Sequence, residues 1–283
     1  MSMNTNIING GVEAIISKAS PSINPGDYVS PAGLLICGRC GEPRQCRIHL
    51  LGRDRIVGCA CKCDREAYEA ERKAVADAET RKRIEALREA GIPDQGLQGK
   101  TFSASDQSLQ LSQAMKYVDA WEQMREHNIG MLLWGSTGSG KTHAGACIAN
   151  ALVDRGVRAG VTSTAELMNI AYNDRPATIR RLIGLDLLVL DDLGAERDSA
   201  YAMETVYAII DGRLKAGRPM VITTNLSLED IRNPGDMGRE RIYQRVLEAC
   251  QPVRFVGQSH RPEISAEKRR ILAEVFGGGA TNV

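Results

Sequence analysis

The chain has no apolar run long enough to cross a bilayer: runs such as Met131–Trp134 and Leu187–Leu190 are a handful of residues, against the roughly 20 that a membrane-spanning helix needs. Met1–Gly11 lacks the basic start and apolar stretch of a signal peptide, so no membrane partner is expected and the expected location is the cytoplasm. Aromatics are scarce, with three Phe, seven Tyr and two Trp, which argues against a stacking platform as the main device for holding single strands. An excess of one charge is missing as well. Thirty-six Lys and Arg against 35 Asp and Glu leave a formal +1, so a nucleic-acid or anion partner must be met by a local basic patch. What is present in quantity is a globular composition, 43% apolar and 25% charged over 283 residues, enough for one large domain or a domain with a smaller attachment.

Cysteine is unevenly spread. Cys37, Cys40, Cys46, Cys59, Cys61 and Cys63 share one short window, while Cys147 and Cys250 stand alone in apolar helical surroundings and read as small buried hydrophobes. Without an export signal, the cluster reads as a metal site rather than a disulfide framework. Cys37-Gly-Arg-Cys40-Gly41 has the spacing of a zinc knuckle: a tight turn aims two thiolates at one ion, and Gly41 relieves the backbone after the second sulfur. Cys59-Ala-Cys61-Lys-Cys63 supplies the second pair, across Arg53–Val57, which reads as a hairpin strand after a turn at Gly52. Five candidates exceed the four ligands of a tetrahedral Zn²⁺ site, so one of Cys59, Cys61 and Cys63 is a spectator. Cys46 and His49 stand as outside possibilities.

Five segments follow from the punctuation of the chain. Residues 1–33 mix Asn, Ser, Gly and Pro with one short apolar stretch, Val12–Ile16, and read as a flexible lead-in with at most one helix. The zinc-binding module occupies 34–66. Asp64–Ala90 is rich in Ala, Glu, Lys and Arg and is stopped by Gly91-Ile92-Pro93, so 67–95 reads as a solvated connector or docking helix. Residues 96–276 alternate helices with short apolar strands, the pattern of an α/β domain with a parallel sheet flanked by helices. The strands expected there are Met131–Trp134, Val157–Thr162, Leu187–Leu190, Met220–Thr223 and Val253–Val256, and Ser163–Glu166 has capping-box form. A flexible tail, 277–283, closes the chain.

Between the first of these strands and the next helix lies Gly135-Ser136-Thr137-Gly138-Ser139-Gly140-Lys141-Thr142, a complete G-x-x-x-x-G-K-[ST] loop. Such a loop curls its backbone N–H groups around the phosphates of ATP, sends its lysine to the β- and γ-phosphates and offers its Thr hydroxyl to Mg²⁺. The magnesium shell also needs a carboxylate on a neighbouring strand end, and Leu187–Leu190 runs into Asp191-Asp192. Asp191 is expected to support Mg²⁺ and Asp192 to polarise the attacking water. Asn225, following Met220–Thr224, offers a neutral amide to orient that water. Transition-state charge needs a further cation. Arg241 and Arg245 lie four apart on one helical face, and Arg261 follows the last strand; each would act only in an assembly where one subunit's Arg reaches another's nucleotide.

The ordering of P-loop, L-L-V-L-D-D-L-G-A-E, T-T-N-L-S and R-I-Y-Q-R-V resembles the AAA+ ATPases of the DnaC/DnaI type, the bacterial and phage replicative-helicase loaders. Ala90–Pro93 followed by Thr101-Phe102 resembles their lead-in to the ATPase core, and the Cys37–Cys63 window is similar to the zinc module of phage and prophage members. The resemblance covers residues 34–262 and is most specific over Leu187–Glu196. It implies Lys141 and Thr142 as the P-loop pair, Asp191 and Asp192 as the Walker B pair, Asn225 as first sensor, Arg245 as arginine finger and Arg261 as second sensor. Asp192 stands where most AAA+ proteins have Glu. The resemblance further implies an N-terminal region that grips a DnaB-type helicase in a bacterial or phage-infected cytoplasm. It implies, too, an ATPase domain that binds ATP and single-stranded DNA, and self-association into a ring or spiral. The IstB-like transposition helper ATPases share the core motifs, and the zinc module argues for the loaders instead. A non-hydrolytic zinc-ribbon adaptor is the third reading, against which stand Asp191, Asp192 and Asn225.

Overall fold

The computed structural model describes residues 23–50, 52–104, 108–195, 200–256 and 261–276, with the backbone alone for 104, 200 and 261–267. The helix allowed for at Val12–Ile16 and the tail 277–283 lie outside the described residues. The chain divides into two units, Met1–Arg81 and Lys82–Val283.

The first unit is two small antiparallel ladders and the start of a helix. β1 (Tyr28–Val29) pairs with β2 (Leu35–Ile36), and β3 (Gln45–Leu50) pairs with β4 (Arg53–Gly58) from Gln45↔Gly58 to Leu50↔Arg53. This is the hairpin the sequence predicts, with Gly52 at φ +73° in its turn. The described structure begins earlier than the expected boundary at 34. Asp27, assigned to the lead-in, accepts from buried Arg44 at 2.7 Å and from the Gly38 N–H at 3.1 Å. With so few apolar residues, the unit is held by such polar contacts.

The helix that follows runs Lys62–Gly91, and the division between the units falls within it. Uninterrupted Ala, Glu, Lys and Arg give it high propensity, and it has no apolar stripe over most of its length. Its last turns depart from a solvated connector: Ile84 and Leu87 pack on the core of the second unit, and Ile92 is fully buried there.

In the second unit five parallel strands lie in the order β6-β7-β8-β5-β9: β5 is Gly130–Gly135, β6 Ala159–Ser163, β7 Leu187–Leu193, β8 Met220–Thr224 and β9 Cys250–Phe255. The central strands β5, β7 and β8 are mostly apolar, because both faces of the sheet are covered there, whereas the edge strand β9 exposes Gln251, Pro252 and Arg254. Met131, Leu133, Leu187, Val189 and Val221 face one core with helices Leu109–Asp119 and Lys141–Asp154. Leu132, Leu188, Leu190, Met220 and Ile222 face the other, with Ala200–Lys215 and Met237–Ala249. Cys147 and Cys250 are buried, as expected of small hydrophobes.

The sequence reading missed the helix Arg175–Gly184, whose Pro176 fits the first turn, and the short helix Leu228–Arg232 with its Ser227 capping box. It also missed Arg213. This guanidinium has no exposed surface and donates to the carbonyls of Leu182 at 2.6 Å, Leu185 at 3.0 Å and Pro219 at 2.6 Å. Burial pulls it down to about 9, and carbonyl dipoles, including those ending Arg175–Gly184, offset the lost hydration. It ties the loops that feed β7 and β8, and so fixes the strands whose far ends carry Asp191, Asp192 and Asn225.

Candidate nucleotide site and cysteine cluster

The carboxyl ends of β5, β7 and β8 bring together five of the predicted residues. The P-loop leaves β5 at Gly135, whose φ of +144° suits glycine and where a Cβ would stand 2.2 Å from the Phe255 carbonyl oxygen. Ser136, Thr137, Gly138, Ser139 and Gly140 carry the chain to the helix opening at Lys141, with Gly140 at φ +92° as its N-cap. Lys141 is buried, and its Nζ donates to the carbonyls of Gly135 and Ser136 and to Asn225 Oδ1, each at 2.8 Å. Asn225 Nδ2 in turn donates to Asp192 Oδ1 at 2.8 Å. One amide therefore bridges the loop lysine and the second carboxylate.

Asp191 occupies the other side. Its Oδ2 accepts from the Thr142 hydroxyl at 3.1 Å and its Oδ1 from Thr223 at 2.6 Å. Burial raises this carboxyl above the usual range, opposed by the bonds from Thr223 and Thr142. Mg²⁺ favours oxygen ligands with near-octahedral geometry, and a hydroxyl beside a carboxylate at a loop mouth is the donor set it takes in P-loop proteins. Thr142 and Asp191 fit that ion.

Arg245 lies on Met237–Ala249 and pairs with Glu248 at 2.8 Å and Asp211 at 3.3 Å. Arg241, one turn earlier, sits over the Tyr207 ring, 4.7 Å from its centroid. Arg261 opens the helix Arg261–Val275, and its side chain is outside the described residues. No sequence pattern points to Thr223, which lies in an apolar strand and bonds both Asp191 and Asp192.

A second grouping was equally hidden. Tyr172 is 78% exposed and its ring stands 6.4 Å from that of Tyr201, over which Arg175 lies at 4.4 Å. Exposed Arg180 and Arg181 follow on the same helix as Arg175. These side chains stand together in a chain with only three Phe, seven Tyr and two Trp.

In the first unit, Cys37, Cys40, Cys61 and Cys63 bring their sulfurs within 4.8 Å of one another. Tetrahedral Zn–S bonds of about 2.3 Å place sulfurs about 3.8 Å apart, so these four fit the ion. Cys59 is the spectator of the five candidates: its thiol donates to the Pro43 carbonyl at 3.4 Å. His49 is taken by Asp54 at 2.8 Å. Gly41, at φ +73°, closes the knuckle by donating to the Cys37 carbonyl. Backbone N–H groups of Glu42 and Cys63 lower the Cys40 thiol to about 6, while burial pushes Cys61 up to about 12. Behind the sulfurs, Asp64 accepts from Cys61 Sγ at 3.3 Å and is gripped by both Arg44 Nε and Nη2, at 3.2 and 3.0 Å. Asp64 Oδ2 also accepts from the Cys61 N–H at 3.4 Å, a contact that does not need the thiol proton, and a lone Arg between Pro43 and Gln45 gives no sequence sign of the grip on Asp64.

The model of IstB-like ATP binding proteins matches residues 70–268. The replicative helicase loader DnaC of Escherichia coli is 29% identical over 129 residues, 43% of this chain and 51% of DnaC. The replicative helicase loader DnaI of Bacillus subtilis is 24% identical over 246 residues, 80% of this chain and 78% of DnaI. The chain thus spans about half the length of DnaC. A crystal structure of DnaI is 22% identical, with 58% of this chain and 94% of that one superposed at a TM-score of 0.51. That likeness carries the fold, a P-loop AAA+ domain.

Proposed function

The chain belongs to the IstB-like ATP binding proteins, and from that premise we propose that it is a Mg²⁺-dependent ATPase that loads a DnaB-type replicative helicase onto single-stranded DNA. The ATPase reading is carried by the chain of contacts Lys141, Asn225, Asp192 beside Thr142 and Asp191. Lys141 exchanges its carbonyl partners for the β- and γ-phosphates of ATP. Thr142 and Asp191 would hold Mg²⁺, which would supply positive charge beside those phosphates. Asn225 then holds the attacking water, and Asp192 polarises it. The loader reading draws on DnaC and DnaI, and the share of this chain that DnaI matches is larger than the unit Lys82–Val283 alone. Similarity therefore reaches the cysteine module, which favours a loader over a transposition helper. Capture of a DnaB-type helicase by the full chain tests this, and a transposase retained in its place would overturn it.

Single-stranded DNA is assigned to Tyr172, Tyr201 and Arg175, with Arg180 and Arg181 supplying local positive charge. Tyr201 lies nine residues beyond Asp192, so strand and nucleotide bear on one connected segment. Replacing Tyr172 and Arg175 together by Ala should weaken oligonucleotide binding by roughly tenfold or more, the worth of about one stacked base. Unchanged affinity in a fluorescence-anisotropy titration removes the assignment.

Zn²⁺ is assigned to Cys37, Cys40, Cys61 and Cys63, as the ion that holds the N-terminal module in shape to grip the helicase. Purified protein should carry about one zinc per chain. Cys37→Ser should release it and unfold the module while leaving ATP binding by residues 96–276 largely intact, and Cys59→Ser should keep it. Metal analysis that finds no zinc in protein purified without chelator rejects the site.

A further inference from the structure

Asp192 sits at φ +60°, a backbone state that L side chains adopt rarely and that persists only where the surroundings hold it. It lies where the β7–β8 register shifts, between Leu190 and Leu193. Two buried hydroxyls grip its peptide groups. Thr223 Oγ1 accepts from the Asp192 N–H at 2.9 Å, and Thr164 Oγ1 donates to the Asp192 carbonyl at 2.8 Å. The proton of Thr223 is spent on Asp191 Oδ1 at 2.6 Å. A single hydroxyl on the neighbouring strand therefore bonds the backbone of one carboxylate residue and the side chain of the other.

The consequence is a division of direction. With Oδ1 taken by Thr223, Asp191 turns Oδ2 to Thr142. With its N–H latched in the bulge, Asp192 turns away from that pair and meets Asn225. We propose that Thr223 is a positioning residue that separates the work of the two carboxylates, aiming Asp191 at the Mg²⁺ it shares with Thr142 and Asp192 at the water held by Asn225. The inference rests on the ATPase reading above.

Valine has the shape of threonine and suits a buried strand, but it neither accepts from Asp192 nor donates to Asp191. Thr223→Val should bind a fluorescent ATP analogue without Mg²⁺ within about threefold of wild type. Loss of a contact that orients a metal ligand costs roughly 10–100-fold in metal affinity or activity, so the Mg²⁺ needed for half-maximal tightening of that binding should rise by about tenfold or more. Turnover should fall by a similar factor, and Thr223→Ser should restore both. Should the valine variant not fold, Thr223→Ser against Thr223→Ala makes the same comparison, since both lack the methyl and only one keeps the hydroxyl. A wild-type Mg²⁺ requirement in Thr223→Val, or a serine variant that behaves like valine or alanine, overturns the proposal. If the wild type binds nucleotide without hydrolysing it, the ATPase reading falls, while the Mg²⁺ titration still judges Thr223.

Discussion

Asp192→Asn is expected to bind ATP as the wild type does and to hydrolyse it roughly 10²–10⁴-fold more slowly, the usual worth of a general base. The substitution is close to silent in shape. Asn225 donates through Nδ2 to Asp192 Oδ1, and an amide oxygen at that place still accepts the bond. The backbone grips at N–H and carbonyl come from Thr223 and Thr164 and do not involve the side chain. Asn also tolerates the left-handed conformation that Asp192 adopts. What is lost is basicity, so the defect should appear in kcat, with the analogue's Kd and its Mg²⁺ dependence unchanged. Lys141→Ala should give the complementary pattern. Its Nζ is the buried cation at the loop mouth, and without it nucleotide binding should vanish or nearly so. Phosphate release at the wild-type rate from the Asp192 variant would show that the roles of the two carboxylates are wrongly divided.

The contrast between these residues and their supports marks how far the sequence could be read. A P-loop must stand between a strand and a helix, and a carboxylate must end a neighbouring apolar run, so Lys141, Thr142, Asp191 and Asp192 are visible as local patterns. The helix Lys62–Gly91 is visible for the same reason, since propensity and the Gly-Ile-Pro stop act over short spans. Thr223 is not visible: a threonine in an apolar strand is ordinary, and its role arises because the bulge in β7 brings two carboxylate residues to one hydroxyl. Arg44 and Asp64 meet across 20 positions, and Tyr172 meets Tyr201 across 29. Such pairs depend on tertiary placement, to which periodicity and composition are blind. The choice among Cys59, Cys61 and Cys63 belongs with them, because spacing allowed all three and only the hairpin's direction turns Cys59 to the Pro43 carbonyl.

Arg245→Ala is expected to keep ATP affinity within a few-fold and to lose turnover by roughly 10³–10⁵, the range an arginine finger supplies in P-loop enzymes. Within its own chain Arg245 pairs with Glu248 one turn along its own helix and with Asp211, and the second contact ties the helix Met237–Ala249 to Ala200–Lys215. Asp211 keeps a second cation, Lys215 at 2.6 Å, so removing Arg245 does not strand that buried carboxylate. A partly exposed ion pair of this kind is worth about 0–1 kcal/mol, so the Tm should move little. If pairing were its whole role, turnover would follow the Tm and stay near wild type. If the guanidinium instead completes a neighbour's pocket, hydrolysis belongs to the assembly, and specific activity should rise with protein concentration and with single-stranded DNA. Mixing then separates the two cases. Arg245→Ala keeps an intact pocket and Lys141→Ala keeps an intact arginine, so mixed assemblies should recover activity that neither variant has alone. No recovery on mixing, together with a concentration-independent rate and an unaffected Arg245→Ala, would leave Arg245 as the surface charge of a self-sufficient subunit.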